Sequence, residues 1–123
     1  MKSPRRSGSV NEVFAQHSRD SVSEWLEESL GRLPELEVRK MFGGAGIYAE
    51  GTMFGILSRG RVYLKTDDSN REAFVDRGMK PFQPRRGTTL KSYYEVPVEV
   101  LDDDAEFLRW ARRALAVASA ARR

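Results

Sequence analysis

The chain has 123 residues, 40% hydrophobic and 32% charged, with a formal net charge of +3, which suits one folded domain with its own core. It contains no cysteine, which excludes disulfides, thiolate nucleophiles and thiolate metal sites together. No apolar run approaches the roughly 20 residues of a membrane-spanning helix, and the basic start MKSPRRSGSV leads into no apolar segment of secretory type, so a cytoplasmic protein is expected. The positive excess sits at the ends, in Lys2, Arg5, Arg6, Arg122 and Arg123, and the body between them is slightly acidic. Short basic tails of this kind are ordinarily just solvated.

Residues 1–9 read as a disordered basic tail, rich in Ser, Gly, Pro and Arg, and residues 10–121 as a single domain. Ser9 with Glu12 forms a possible capping box. Phe14, Val22, Trp25, Leu26 and Leu30 then recur at near-helical spacing opposite Arg19, Glu24, Glu27 and Glu28. This predicts an amphipathic helix of about 20 residues, ended by Gly31 and Pro34. The first strand is expected over Glu37–Phe42. The GGAG that follows at 43–46 invites comparison with a phosphate-cradling loop. Such loops lead into a helix, whereas a strand follows here, so a bend or bulge is the expectation.

Val38–Lys65 is the centre of the chain and reads as an antiparallel meander. Glu50-Gly51 and Arg59-Gly60 each separate two runs of β-formers, with glycine where a tight hairpin needs positive φ. Two-residue turns would pair Ser58 with Arg61, Leu57 with Val62, Ile56 with Tyr63 and Gly55 with Leu64. On the other side they would pair Ala49 with Thr52, Tyr48 with Met53, Ile47 with Phe54 and Gly46 with Gly55. Alternation then puts Tyr48, Met53, Leu57, Val62 and Leu64 on one face, and Ile47, Ala49, Phe54, Ile56, Tyr63 and Lys65 on the other. Both faces are largely apolar, so both are expected to be covered.

Beyond the meander, Asp67, Asp68 and Ser69 offer N-cap oxygens for a short helix over Asn70–Arg77, with Gly78 as its stop. MKPFQPRRGTT, with two prolines and a glycine, reads as a loop. Leu90–Val96 reads as a last strand, halted by Pro97. Asp103 with Glu106 repeats the capping-box pattern. Phe107, Leu108, Trp110, Ala111, Ala114, Leu115 and Ala118 then follow helical spacing, with Arg109, Arg112 and Arg113 at other positions.

Chemistry-bearing residues are sparse. His17, the only histidine, stands beside Gln16 and Ser18 on a helix surface. Asp102–Asp104 and Asp67–Asp68 are explained by capping, and no calcium-loop spacing is present. No catalytic constellation, metal site or cofactor is therefore expected. The candidate interaction surface comprises Phe54, Ile56, Tyr63 and Lys65 on one sheet face, Lys91, Tyr93 and Tyr94 on the last strand, and Arg85 and Arg86 before it. Cations beside aromatics can serve a protein interface, including one with a second copy, or contact single-stranded nucleic acid. The plain alternative is that the tyrosines are packing residues and the arginines solvate a loop.

RKMFGGAGIY, GTMFGIL, VYLKTD, the helix ending in GMKPF, SYYEVP and the final W-A-R-R helix together resemble the N-terminal domain of the TfoX (Sxy) family, from about Val10 to Ala120. The resemblance implies an α+β fold of two layers, an antiparallel β-sheet (a meander plus one later strand) packed with three helices, similar in architecture to secretion-chaperone-like folds. It also implies a non-enzymatic regulatory or protein-interaction module. The name-giving members are regulators of natural competence that carry a second, helical domain, and this chain ends about where that domain would begin. The family supplies no catalytic residues to carry over. The alternative is a small-ligand binder or enzyme with a pocket near the GGAG bend and the Arg85-Arg86 loop.

Overall fold

Alternating apolar residues, punctuated by Glu-Gly and Arg-Gly turns, build most of the sheet. The computed structural model describes residues 19–41, 43–85 and 87–122, and for 19–22 the backbone alone. The elements in order are α1 (Arg19–Leu30), β1 (Leu36–Met41), β2 (Gly44–Ala49), β3 (Thr52–Ser58), β4 (Arg61–Lys65), α2 (Arg71–Val75), β5 (Pro81–Arg85), β6 (Thr88–Glu95), α3 (Val98–Leu101) and α4 (Asp104–Ala121). The six strands form one open antiparallel sheet in the order β1-β2-β3-β4-β6-β5. The expected tail, the Ser9–Glu12 cap, Phe14 and His17 lie outside the described residues.

Both meander turns have positive φ at each central residue: 52° and 76° at Glu50 and Gly51, and 53° and 76° at Arg59 and Gly60. That backbone matches the twist of the flanking strands. The β3–β4 register is the expected one, pair for pair. Between β2 and β3, Ala49 faces Thr52 and Tyr48 faces Met53 as expected, but then the register shifts. Ile47 faces Gly55 and Gly46 faces Ile56. Phe54 is thus the extra residue of a β-bulge, which no turn-based register could show.

The bulge corrects the expected faces. Alternation counted straight through β3 placed Phe54 with Ile56 and Tyr63, and Leu57 with Tyr48 and Met53. In the structure Ile47, Ala49, Phe54, Leu57, Val62 and Leu64 share the face packed by helices. Tyr48, Met53, Ile56, Tyr63 and Lys65 share the other. The expected Gly46–Gly55 facing pair does not form.

On the helix side, α1 contributes Leu26 and Leu30, α2 contributes Phe74 and α3 contributes Val100 and Leu101. Phe107, Ala111, Ala114 and Ala118 come from α4. The three alanines lie on one face of α4 and let its backbone come close to the sheet. Trp25 stacks on Phe107 at 5.9 Å. The Asp103 cap forms as expected, its carboxylate accepting from the Glu106 N–H at 3.1 Å. At the other end of α4, Arg122 donates to Thr52 Oγ1 at 2.8 Å, tying the helix to the β2–β3 turn.

Three further expectations change. α2 ends at Val75 rather than Arg77, and its N-cap residue, Asn70, makes no side-chain cap bond. Instead Asn70 is buried, accepts from the Asp67 N–H at 2.9 Å and donates to the Lys65 carbonyl at 3.1 Å, fixing the corner after β4. The stretch 81–85 is a strand, not a loop, so two strands follow the meander instead of one. Pro81 and Pro84 are tolerated there because β5 is the sheet's edge, where one side of the strand needs no donors. Four helices are present among the described residues instead of three, the addition being the single turn α3 after Pro97. The α+β, two-layer reading stands.

Candidate interaction surface

Every described helix that packs into the main core lies on one side of the sheet. The opposite face is tiled by its own side chains. At its β1–β2 end, Gly46 leaves a floor without a Cβ. A Cβ there would come within 2.9 Å of the Tyr48 ring and 3.0 Å of the sulfurs of Met41 and Met53, so these three side chains lie flat over the glycine. The Arg39 guanidinium sits 4.1 Å from the Tyr48 ring centroid and pairs with Glu37 at 3.2 Å.

At the β4–β6 end the floor is Ile56, only 2% exposed beneath Tyr63, Phe82 and Tyr93. Tyr63 and Phe82 pack at 4.7 Å between ring centroids. Lys65 lies 5.0 Å from the Tyr93 ring and donates to Ser92 Oγ at 3.2 Å. Arg61 pairs with Glu95 at 2.6 Å. Burial pushes the Tyr63 hydroxyl above its ordinary pKa, with the Glu95 charge adding to it. Burial also raises Tyr93. Both rings are therefore neutral donors over the physiological range.

Of the expected surface residues, Ile56, Tyr63, Lys65 and Tyr93 meet on this face. Phe54, fully buried, and Tyr94, packed on Phe74 at 6.1 Å, face the helices instead. Phe54 is closed to a partner, whereas Tyr94 is only partly buried. Arg85 and Lys91 are exposed on the β5–β6 hairpin, and Arg86 lies outside the described residues. The face also includes Arg39, Met41, Tyr48, Met53 and Phe82, which the sequence reading did not single out. Tyr48 and Met53 were assigned to the wrong side because the bulge is silent in sequence. Phe82 was missed because its strand was read as a loop.

The face is continuous, amphipathic and made of Met, Tyr and Arg side chains. Flexible thioethers and rigid aromatics with polar tips suit contact with another polypeptide. Grooves elsewhere are open and run beside α4. One of about 470 Å³ is lined by Asn70, Phe74, Glu106, Trp110 and Arg113, and one of about 610 Å³ by Glu28, Ser29, Arg32, Leu108 and Arg112. The pocket expected near the GGAG bend and the Arg85-Arg86 loop is not one that both segments could line together among the described residues. Gly44 pairs with Ser58 beside the β3–β4 turn, while β6 runs out past Lys65 at the other end of the sheet. The register thus separates the two segments. Among the described residues no cluster of three or more His, Cys, Asp or Glu could hold a metal ion.

These features define an α+β domain with the described helices on one side of an open antiparallel sheet and, on the other, an aromatic face that no described helix covers. The model of the TfoX N-terminal domain matches residues 17–118, and the chain belongs to that family. It is also similar to a curated relative, the DNA transformation protein TfoX1 of Aliivibrio fischeri (strain ATCC 700601 / ES114). The two are 26% identical over 91 residues, covering 72% of this chain and 44% of the relative. The chain therefore spans less than half the length of the relative it matches. No helix among the described residues is long and apolar enough to cross a membrane.

Proposed function

We propose that the chain is a non-enzymatic regulatory module of the TfoX N-terminal type, acting in the cytoplasm through contact with another protein chain, which can be a second copy of itself. The observation that carries this reading is the sheet face that no described helix covers, where Met53, Tyr48 and Tyr63 lie half-buried beside Arg39 and Lys65. Half-buried Tyr and Met between paired cations are the residue types that anchor protein interfaces. Family membership and the name of the relative support a link to the regulation of DNA transformation.

The test is genetic. Cells lacking this chain are complemented with wild type, Met53→Glu or Tyr63→Glu, and transcripts of DNA-uptake genes are measured. Loss of the regulated response in both variants, with normal protein levels, is the expected result. Full restoration by both variants would remove the face from the function. No change of these transcripts on deletion would remove the transformation link.

A further inference from the structure

β6 pairs with β4 only through Tyr93, Tyr94 and Glu95, and one further bond joins the Thr66 N–H to the Ser92 carbonyl at 2.6 Å. Thr88–Lys91 have β5 as their sole strand neighbour, with Phe82 opposite Leu90 and Arg85 opposite Thr88. At about 3.4 Å per residue, the steps from Tyr93 to Thr88 carry this two-stranded ribbon roughly 17 Å past the last β4 pairing. Gln83, Pro84, Arg85 and Gly87–Lys91 are all exposed, Leu90 to 41%.

The charge on the ribbon is of one sign. Lys80, Arg85, Arg86 and Lys91 lie between Lys80 and Tyr94, and that stretch holds no Asp or Glu. The helix layer is the reverse over α1, where Asp20, Glu24, Glu27 and Glu28 follow Arg19 with no further cation before Arg32. The body's other cations are largely engaged. Arg109 pairs with Glu106, Arg77 with Glu99 and Arg71 with Asp68, and Arg113 donates to the Ser69 carbonyl at 2.7 Å. Lys80, Arg85 and Lys91 have no ion pair among the described residues.

We propose that this ribbon is an arm that contacts duplex DNA, with Arg85, Lys91 and Lys80 on phosphates and Pro84 and Leu90 against the groove. A two-stranded ribbon fits the width of the major groove, and apolar side chains at an arm's tip can press between base steps in the minor groove. Single-stranded nucleic acid fits less well, because binding it needs aromatic stacking platforms, and the tip from Gln83 to Lys91 has none. The acidic run of α1 elsewhere on the domain disfavours approach of phosphate there and favours approach through the arm. The proposal is independent of the sheet-face reading, since it uses other residues.

The experiment is a fluorescence-anisotropy titration of the full chain with a short labelled duplex, and with one of its single strands, from about 50 to about 200 mM salt. Three phosphate contacts predict that affinity for the duplex falls roughly 40-fold over that range. The triple variant Lys80→Ala, Arg85→Ala, Lys91→Ala should bind at least about 10-fold more weakly at low salt, with a shallower salt slope. Arg109→Ala with Arg112→Ala and Arg113→Ala should stay within about twofold of wild type. In parallel, amide NMR shifts of the wild-type chain on adding duplex should concentrate in 83–91, a readout that needs no variant to fold. The proposal is overturned by no duplex binding up to about 100 µM at low salt. It is equally overturned by tighter binding to the single strand, by a folded triple variant that binds like wild type, or by NMR shifts centred on α4.

Discussion

The bulge at Phe54 decides which side chains the core receives, and two neighbouring truncations test it. Phe54 is fully buried among Leu26, Leu64, Phe107 and their neighbours, whereas Met53 is half-buried on the face opposite the described helices. Phe→Ala in a core costs about 3–5 kcal/mol, from lost transfer energy plus the cavity left behind. Truncating a half-exposed methionine removes a fraction of the ~1.5–3 kcal/mol that full burial supplies, so Met53→Ala should cost about 1 kcal/mol. For a domain of this size each kcal/mol moves Tm by roughly 3–6 °C. Phe54→Ala is then expected to lose roughly 10–25 °C, and Met53→Ala no more than about 6 °C. Urea unfolding followed by circular dichroism reads both, with unchanged slopes confirming that the comparison concerns stability. Total stability of a domain is only about 5–15 kcal/mol, so Phe54→Leu serves as a milder variant and should fall between the two. Uninterrupted alternation would put Met53 under the helices and Phe54 outside. A larger loss for Met53→Ala than for Phe54→Ala would therefore refute the bulge and the faces built on it.

The two glycines of β2 should behave differently. A Cβ on Gly44 would sit 2.1 Å from the Leu57 carbonyl oxygen, whereas one on Gly46 meets only the movable ends of Tyr48, Met41 and Met53. Gly44→Ala should cost about 2 kcal/mol or more through backbone displacement, and Gly46→Ala under about 1 kcal/mol, as denaturant midpoints would show; equal losses would contradict the packing. Asp103→Ala removes the α4 cap and should destabilise by about 1 kcal/mol, with Asp103→Asn or Asp103→Ser recovering most of it. The raised pKa values of Tyr63 and Tyr93 mean that the folded state favours the neutral ring. Their contribution is complete below about pH 10, the ordinary tyrosine value, and is lost as pH climbs through the higher folded values. Ultraviolet titration of tyrosinate should show late components that Tyr63→Phe and Tyr93→Phe remove. Ionisation of all four tyrosines near pH 10 in a folded chain would contradict their burial.

The hairpin turns were legible because only a few backbones suit Glu-Gly and Arg-Gly between β-formers, and they carried the β3–β4 register with them. The Asp103 cap was legible for a similar reason, as a local hydrogen bond encoded three residues apart. The bulge was not. Met53, Phe54, Gly55 and Ile56 alternate plausibly in either phase, and the choice is made by helices distant in sequence that bury Phe54. β5 was hidden by its prolines, which mark a loop in most settings and an edge strand only when a neighbour such as β6 supplies the pairing. The candidate surface inherited both errors. Phe54 and Tyr94 moved to the core side, while Tyr48, Met53 and Phe82 took their place beside Tyr63 and Tyr93.

The central claim, that the sheet face opposite the described helices meets another protein, is tested most directly by site-specific photo-crosslinking in living cells. A benzophenone side chain replaces Tyr63 or Met53 on that face, and Val75, 51% exposed on the helix side, in a control. The account predicts discrete higher-mass adducts from positions 53 and 63 and none from 75, with mass spectrometry separating a second copy of the chain from a different partner. Adducts from position 75 alone, or none from 53 and 63 in cells where the regulated genes respond, would contradict it.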